Sequence, residues 1–82
     1  MPYVKQCVRT YWRDVLDYFT ENELQSATLN YIITSLLLKT NPQNYEDFNS
    51  LIGVLECVKL ELYRRMVAPY EDQKRKENGD VY

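Results

Sequence analysis

Apolar positions along the first part of the chain recur at helical spacing. Val8, Tyr11, Trp12, Val15, Leu16 and Phe19 fall at i, i+3, i+4, i+7, i+8 and i+11, with Arg9, Arg13, Asp14 and Asp17 mostly outside the stripe. That pattern predicts an amphipathic helix from Gln6 to about Phe19. It follows an extended lead over residues 1–5, where Pro2 disfavours helix for the residue before it. A second helix begins after Thr20–Asn22, either at a capping box formed by Asn22 and Gln25 or at Ser26. It runs to about Lys39, whose charge suits the negative end of the helix dipole. Tyr31 to Leu38 is apolar almost all the way round. Tyr31-Ile32-Ile33-Thr34 has strand propensity, but no partner strand is evident and the helix reading prevails.

Thr40-Asn41-Pro42-Gln43 is a loop. Asn44, with Asp47 three residues later, is a cap for the third and longest helix, Tyr45 to about Val67. Pro69 then ends or kinks that helix. Pro69-Tyr70-Glu71-Asp72, followed by Lys74-Arg75-Lys76, reads as a short fourth helix with acids at its positive end and bases at its negative end, closed by Asn78-Gly79. The predicted class is all-α: a compact three-helix domain with a short fourth C-terminal helix. It forms one domain over residues 1–82, with residues 78–82 as a tail.

The third helix is apolar on two sides. Phe48, Leu51, Ile52, Leu55, Val58, Leu62 and Met66 share a sector of about 120° and form the expected core stripe. Gly53, Cys57, Leu60 and Val67 gather on the opposite side, with Arg64 among them. Glycine in mid-helix costs about 1 kcal/mol against alanine, so a purely solvated face would not favour it. Gly53 and Cys57, four apart, allow another helix or a ligand to approach closely. Few elements remain in so short a chain to cover a second face. The simplest cover is another copy, so the chain is expected to be a homodimer or homotetramer with Gly53, Cys57, Leu60 and Val67 in the interface.

Composition narrows the chemistry. A chain of 82 residues buries only about 60–65% of its unfolded surface and draws a few kcal/mol, roughly 3–5, from its own core. Histidine is absent, which excludes an imidazole base, a Ser-His or Cys-His pair and any His-containing zinc site. Two cysteines, Cys7 and Cys57, cannot build a disulfide framework or an all-cysteine zinc site. With no secretory pattern at the start, a reducing cytoplasmic location is expected. Apolar runs such as Leu36-Leu37-Leu38 are too short to span a bilayer. A net charge of −2 and a pI near 5.0 argue against duplex nucleic acid as a partner. No Walker loop, GxGxxG or metal motif occurs, and Glu56 and Glu61 lie on different faces, so catalysis, cofactors and metals are not expected. Glu56 also opposes thiolate chemistry at Cys57, whose expected role is packing.

Tyrosine is in excess, at eight positions against two Phe and one Trp. Its flat apolar face and hydroxyl suit interfaces and base-stacking pockets. Arg64 and Arg65 directly follow Tyr63 and precede Tyr70. Guanidinium forks beside tyrosine faces suit phosphate and base recognition, and the same arginines suit inter-subunit pairing. Glu61 with Arg65 reads as a surface pair. Glu56 flanks the core stripe beside Tyr63, whereas Lys59 falls within the stripe's sector and has to snorkel out, the two being spaced to pair at i, i+3. Asn30, beside apolar residues and Thr34, is either a helix–helix hydrogen bond or a ligand contact. Lys74-Arg75-Lys76 reads as a solvated helix end.

Three stretches carry a family resemblance: Gly53-Val54-Leu55-Glu56-Cys57-Val58-Lys59-Leu60-Glu61-Leu62-Tyr63-Arg64-Arg65, then Val67-Ala68-Pro69-Tyr70-Glu71-Asp72, then Glu77-Asn78-Gly79-Asp80-Val81-Tyr82. With Met1-Pro2-Tyr3-Val4-Lys5-Gln6 and Leu29-Asn30-Tyr31-Ile32-Ile33-Thr34, they resemble a family of very small proteins of unknown function found mainly in bacteriophages and prokaryotic genomes. By analogy, the resemblance implies a phage-type anti-defence sponge, an oligomer that sequesters a small anionic immune signal, foremost a cyclic nucleotide, without chemistry. The residues expected to carry it are Lys59, Arg64 and Arg65 on phosphates, Tyr31, Tyr63 and Tyr70 on bases, and Asn30 on a base edge. The rival reading is a non-catalytic protein-interaction module that uses the same Tyr/Arg surface to bind a host or phage protein.

Overall fold

A computed structural model describes residues 3–82. Its order is α1 (Gln6–Leu16), a 3₁₀ turn (Glu21–Glu23), α2 (Ser26–Leu38), α3 (Tyr45–Leu62), a π-turn (Tyr63–Val67) and α4 (Ala68–Asn78). No strand occurs among the described residues. The chain divides into two units between Gln43 and Asn44.

The first unit holds α1 and α2. α1 ends three residues before the expected Phe19, because the N–H groups of Tyr18 and Phe19 turn to Val15 and Leu16 at 3.2 and 3.0 Å. Such i→i+3 bonds close a helix by tightening its last turn. The capping box at Asn22 does not form. Asn22 sits inside the 3₁₀ turn, and α2 starts at Ser26 behind Gln25, an N-cap that makes no side-chain bond. α2 stops where the sequence placed its end, with Lys39 as C-cap. Thr40 Oγ1 donates to the Leu37 carbonyl at 2.7 Å, and Asn41 adopts a φ of 57°, a left-handed conformation that asparagine tolerates better than most residues.

The second unit is dominated by one continuous helix. The Asn44 carboxamide accepts the Asp47 N–H at 2.9 Å and caps α3 as expected. Glu46 and Asp47 then place negative charge at the positive helix end. The fourth helix expected after Pro69 is not separate: α3, the π-turn and α4 run on as 34 residues, about 50 Å at 1.5 Å per residue. Pro69 lacks an N–H, and its ring clashes with the carbonyl four residues back in an ordinary helix. Here the turn before it is widened, with Ala68 N–H donating five residues back to the Tyr63 carbonyl. Helix therefore continues through the proline. At the far end Gly79, with φ 82°, donates its N–H to Arg75 at 2.9 Å and closes α4.

The expected core stripe is not a core. No described residue is fully buried. Leu51 and Leu55, at the centre of the stripe, are half-buried, while Ile52 and Met66 remain 64% and 65% exposed. Within its own unit the long helix has no second helix to lie against.

Candidate functional site

Five of the seven expected ligand residues lie on the long helix. Lys59 is on α3, Tyr63, Arg64 and Arg65 are in the π-turn, and Tyr70 is on α4. Asn30 and Tyr31 belong to the other unit, on α2.

Glu61 organises the helix cluster. Arg65 Nε donates to its carboxylate at 2.9 Å, and Arg64 Nη2 reaches both carboxylate oxygens at 3.2 Å. The expected Glu61–Arg65 pair is present, and Arg64 joins it. The Arg64 hydrogen bond holds the Glu61 carboxyl below its ordinary value of 4.5, with Arg65 adding to the effect and partial desolvation opposing it. Two guanidiniums on one carboxylate leave one unit of positive charge. Lys59 is committed to Glu56 at 2.9 Å, as the i, i+3 spacing suggested. These are intrahelical pairs at a helix surface, each individually weak.

The π-turn decides what Tyr63 meets. Eight residues of ordinary helix would set Glu71 about 80° round from Tyr63. One extra residue in the turn takes back about 100°, which brings the two within about 20°. The Tyr63 hydroxyl accordingly donates to Glu71 Oε2 at 3.1 Å. That hydrogen bond and the Glu71 charge hold the phenol above its usual value of 10.0. The same rotation carries Val67 away from Gly53, Cys57 and Leu60; it is half-buried where the other three are exposed. Tyr70 lies under the Lys74 ammonium, 5.6 Å from its ring centre, a cation–π arrangement.

On α2, Thr34 Oγ1 donates to the Asn30 carboxamide oxygen at 3.3 Å. Neither Asn30 nor Thr34 is buried, so this is a bond within one helix rather than between two. Asn30 and Tyr31 line an open hollow along α2 with Ser26, Thr34 and Leu38. A second hollow, which the sequence did not signal, lies at the end of α4 between Glu71, Arg75, Asp80 and Tyr82. Arg75 bridges Asp72 at 3.9 Å and Asp80 at 3.8 Å, and Lys74 pairs with Glu77 at 3.2 Å. The basic run is thus largely matched by acids, as a solvated helix end would be. Among the described residues no group of three acidic or cysteine side chains is placed to hold a metal ion, and no helix is long and apolar enough to cross a membrane.

These features define a small all-helical chain in which charged groups over the second half of the long helix pair locally and no described apolar side chain is fully buried. The family model described as Domain of unknown function (DUF6899) matches residues 1–81, and the chain belongs to that family. No curated protein and no solved structure matches it.

Proposed function

We propose that this chain is a non-catalytic interaction module that works by laying the exposed surface of α3 against another polypeptide. The observation that supports this is the two-sided exposure of α3. Ile52 at 64% represents the stripe face and Leu60 at 57% the Gly53–Cys57 face. Apolar area left in water forfeits about 25 cal/mol per Å², so a helix apolar on both sides gains by association.

A second reading is sequestration of a small anionic signal, foremost a cyclic nucleotide, as a bacteriophage-type immune-evasion protein would perform it. It is supported by the unit of positive charge left on Arg64 and Arg65 beside the exposed rings of Tyr63 and Tyr70. It ranks second because Glu71 and Asp72 bring negative charge to the same stretch. Both readings have the chain working in a reducing cytoplasm with Cys7 and Cys57 as free thiols.

One experiment tests both: native mass spectrometry with amide hydrogen exchange on the purified chain, alone and with a pool of cyclic nucleotides. The interaction module predicts slowed exchange over Phe48–Leu62 that deepens with association, and no retained nucleotide. A nucleotide held in fixed ratio selects the second reading. Free exchange along α3 under every condition refutes the interaction module.

A further inference from the structure

The charge pattern on the Gly53–Cys57 side of α3 identifies its occupant. Glu46, Gly53, Cys57, Leu60 and Arg64 share a sector of about 60°. This face is open: a side chain at Gly53 would meet nothing within 4 Å, and Cys57 and Leu60 are exposed. Glu46 is exposed in the first turn, and no ion pair among the described residues involves it. Arg64 spreads a single nitrogen over both Glu61 oxygens at 3.2 Å, whereas Arg65 holds that carboxylate at 2.9 Å. A guanidinium carries five donors, so Arg64 can accept a second carboxylate.

The spacing of these residues is symmetric about one point. Positions 46 and 64 average to 55, as do 53 and 57, and as do Ser50 and Leu60. A two-fold axis at the height of residue 55 therefore sets Glu46 of one copy against Arg64 of the other at both ends of the contact. In the middle it sets Gly53 against Cys57, the pair that permits the closest approach of two helix axes. The contact spans about 28 Å of helix. Parallel pairing in the same register would oppose Glu46 to Glu46 and Arg64 to Arg64.

We infer that α3 pairs antiparallel with α3 of a second copy of this chain, centred at residue 55 and closed at each end by a Glu46–Arg64 ion pair. This rests on the interaction-module reading and names its partner; it takes Arg64 for the subunit contact and leaves the Phe48–Ile52–Val58 stripe for other cover. The contact is isologous, so each substitution acts twice.

The test is sedimentation equilibrium of the full chain as wild type, Glu46→Arg, Arg64→Glu and the double variant, with helix content checked by circular dichroism. Each single variant should weaken the dimer about tenfold by turning two attractions into repulsions, and the double variant should recover most of the loss. Self-association without rescue in the double variant overturns the antiparallel register and leaves the interaction module standing. A wild type that stays monomeric overturns the self-pairing, and if its α3 amides also exchange freely the module reading falls with it. Gly53→Cys in a Cys7→Ser background serves if a charge variant fails to fold. Mild oxidation should link position 53 of one copy to Cys57 of the other, and a chain that gives no covalent dimer sinks the inference.

Discussion

Replacing Gly53 by alanine separates the isolated helix from the paired one, because the two respond in opposite directions. In the single chain the new methyl meets nothing within 4 Å, and the backbone there is ordinary helix. Alanine in a helix interior is about 0.8–1.0 kcal/mol more favourable than glycine. For a chain of this length that is a rise of about 4–8 °C in Tm. In the antiparallel pair, Gly53 lies against Cys57 of the second copy, and the two-fold axis places two new methyls in the closest part of the contact. Overpacking costs about 1–3 kcal/mol per site, which offsets or exceeds the helix gain. Gly53→Ala should therefore raise Tm in dilute solution and raise it less, or lower it, where the dimer dominates. Thermal melts followed by circular dichroism over a wide concentration range, with sedimentation on the same samples, measure this. An equal rise in Tm at every concentration would refute the reasoning, since Gly53 would then be a solvated position and nothing more.

Two further outcomes follow from contacts within single helices. Asn44→Ala removes the carboxamide that accepts the Asp47 N–H at 2.9 Å and should destabilise the chain by about 1 kcal/mol in urea unfolding, while Asn44→Asp, an equally good cap, should cost little. Glu61 has a folded-state value depressed below 4.5 by Arg64 and Arg65, so its contribution is present above the unfolded value and is lost as pH falls through the folded one. The stability difference between wild type and Glu61→Gln should thus be constant near neutral pH and shrink below about 4.5; a difference that does not change with acid would show that the cluster contributes nothing electrostatic.

The features legible in the sequence were those that depend on a few neighbouring residues. The Asn44 cap, the Glu56–Lys59 and Glu61–Arg65 pairs and the Gly79 stop each need only a side chain and the backbone within a turn of it. The Asn22–Gln25 box is equally local and failed, because Asn22 was already taken into a 3₁₀ turn by the N–H groups of Glu23 and Leu24 bonding to Thr20 and Glu21. Periodicity correctly found the two apolar faces of α3. It could not say that both would be exposed, because burial depends on what lies opposite, and helical spacing records one helix at a time.

Pro69 shows where a local rule stops short of the structure. The rule is that proline removes one hydrogen bond and presses on the carbonyl four residues back, so a helix ends or bends. Here the preceding turn is widened and the helix runs on past the proline. The Ala68 N–H bonds to Tyr63, five residues back. The helix survives, and everything beyond is rotated by about one residue. That rotation lines Glu71 up with Tyr63 and turns Val67 away from the Gly53–Cys57 face, leaving Arg64 as that face's last member. The proline thus sets the end of the self-complementary surface: the Glu46–Arg64 pairing closes where the helix changes phase.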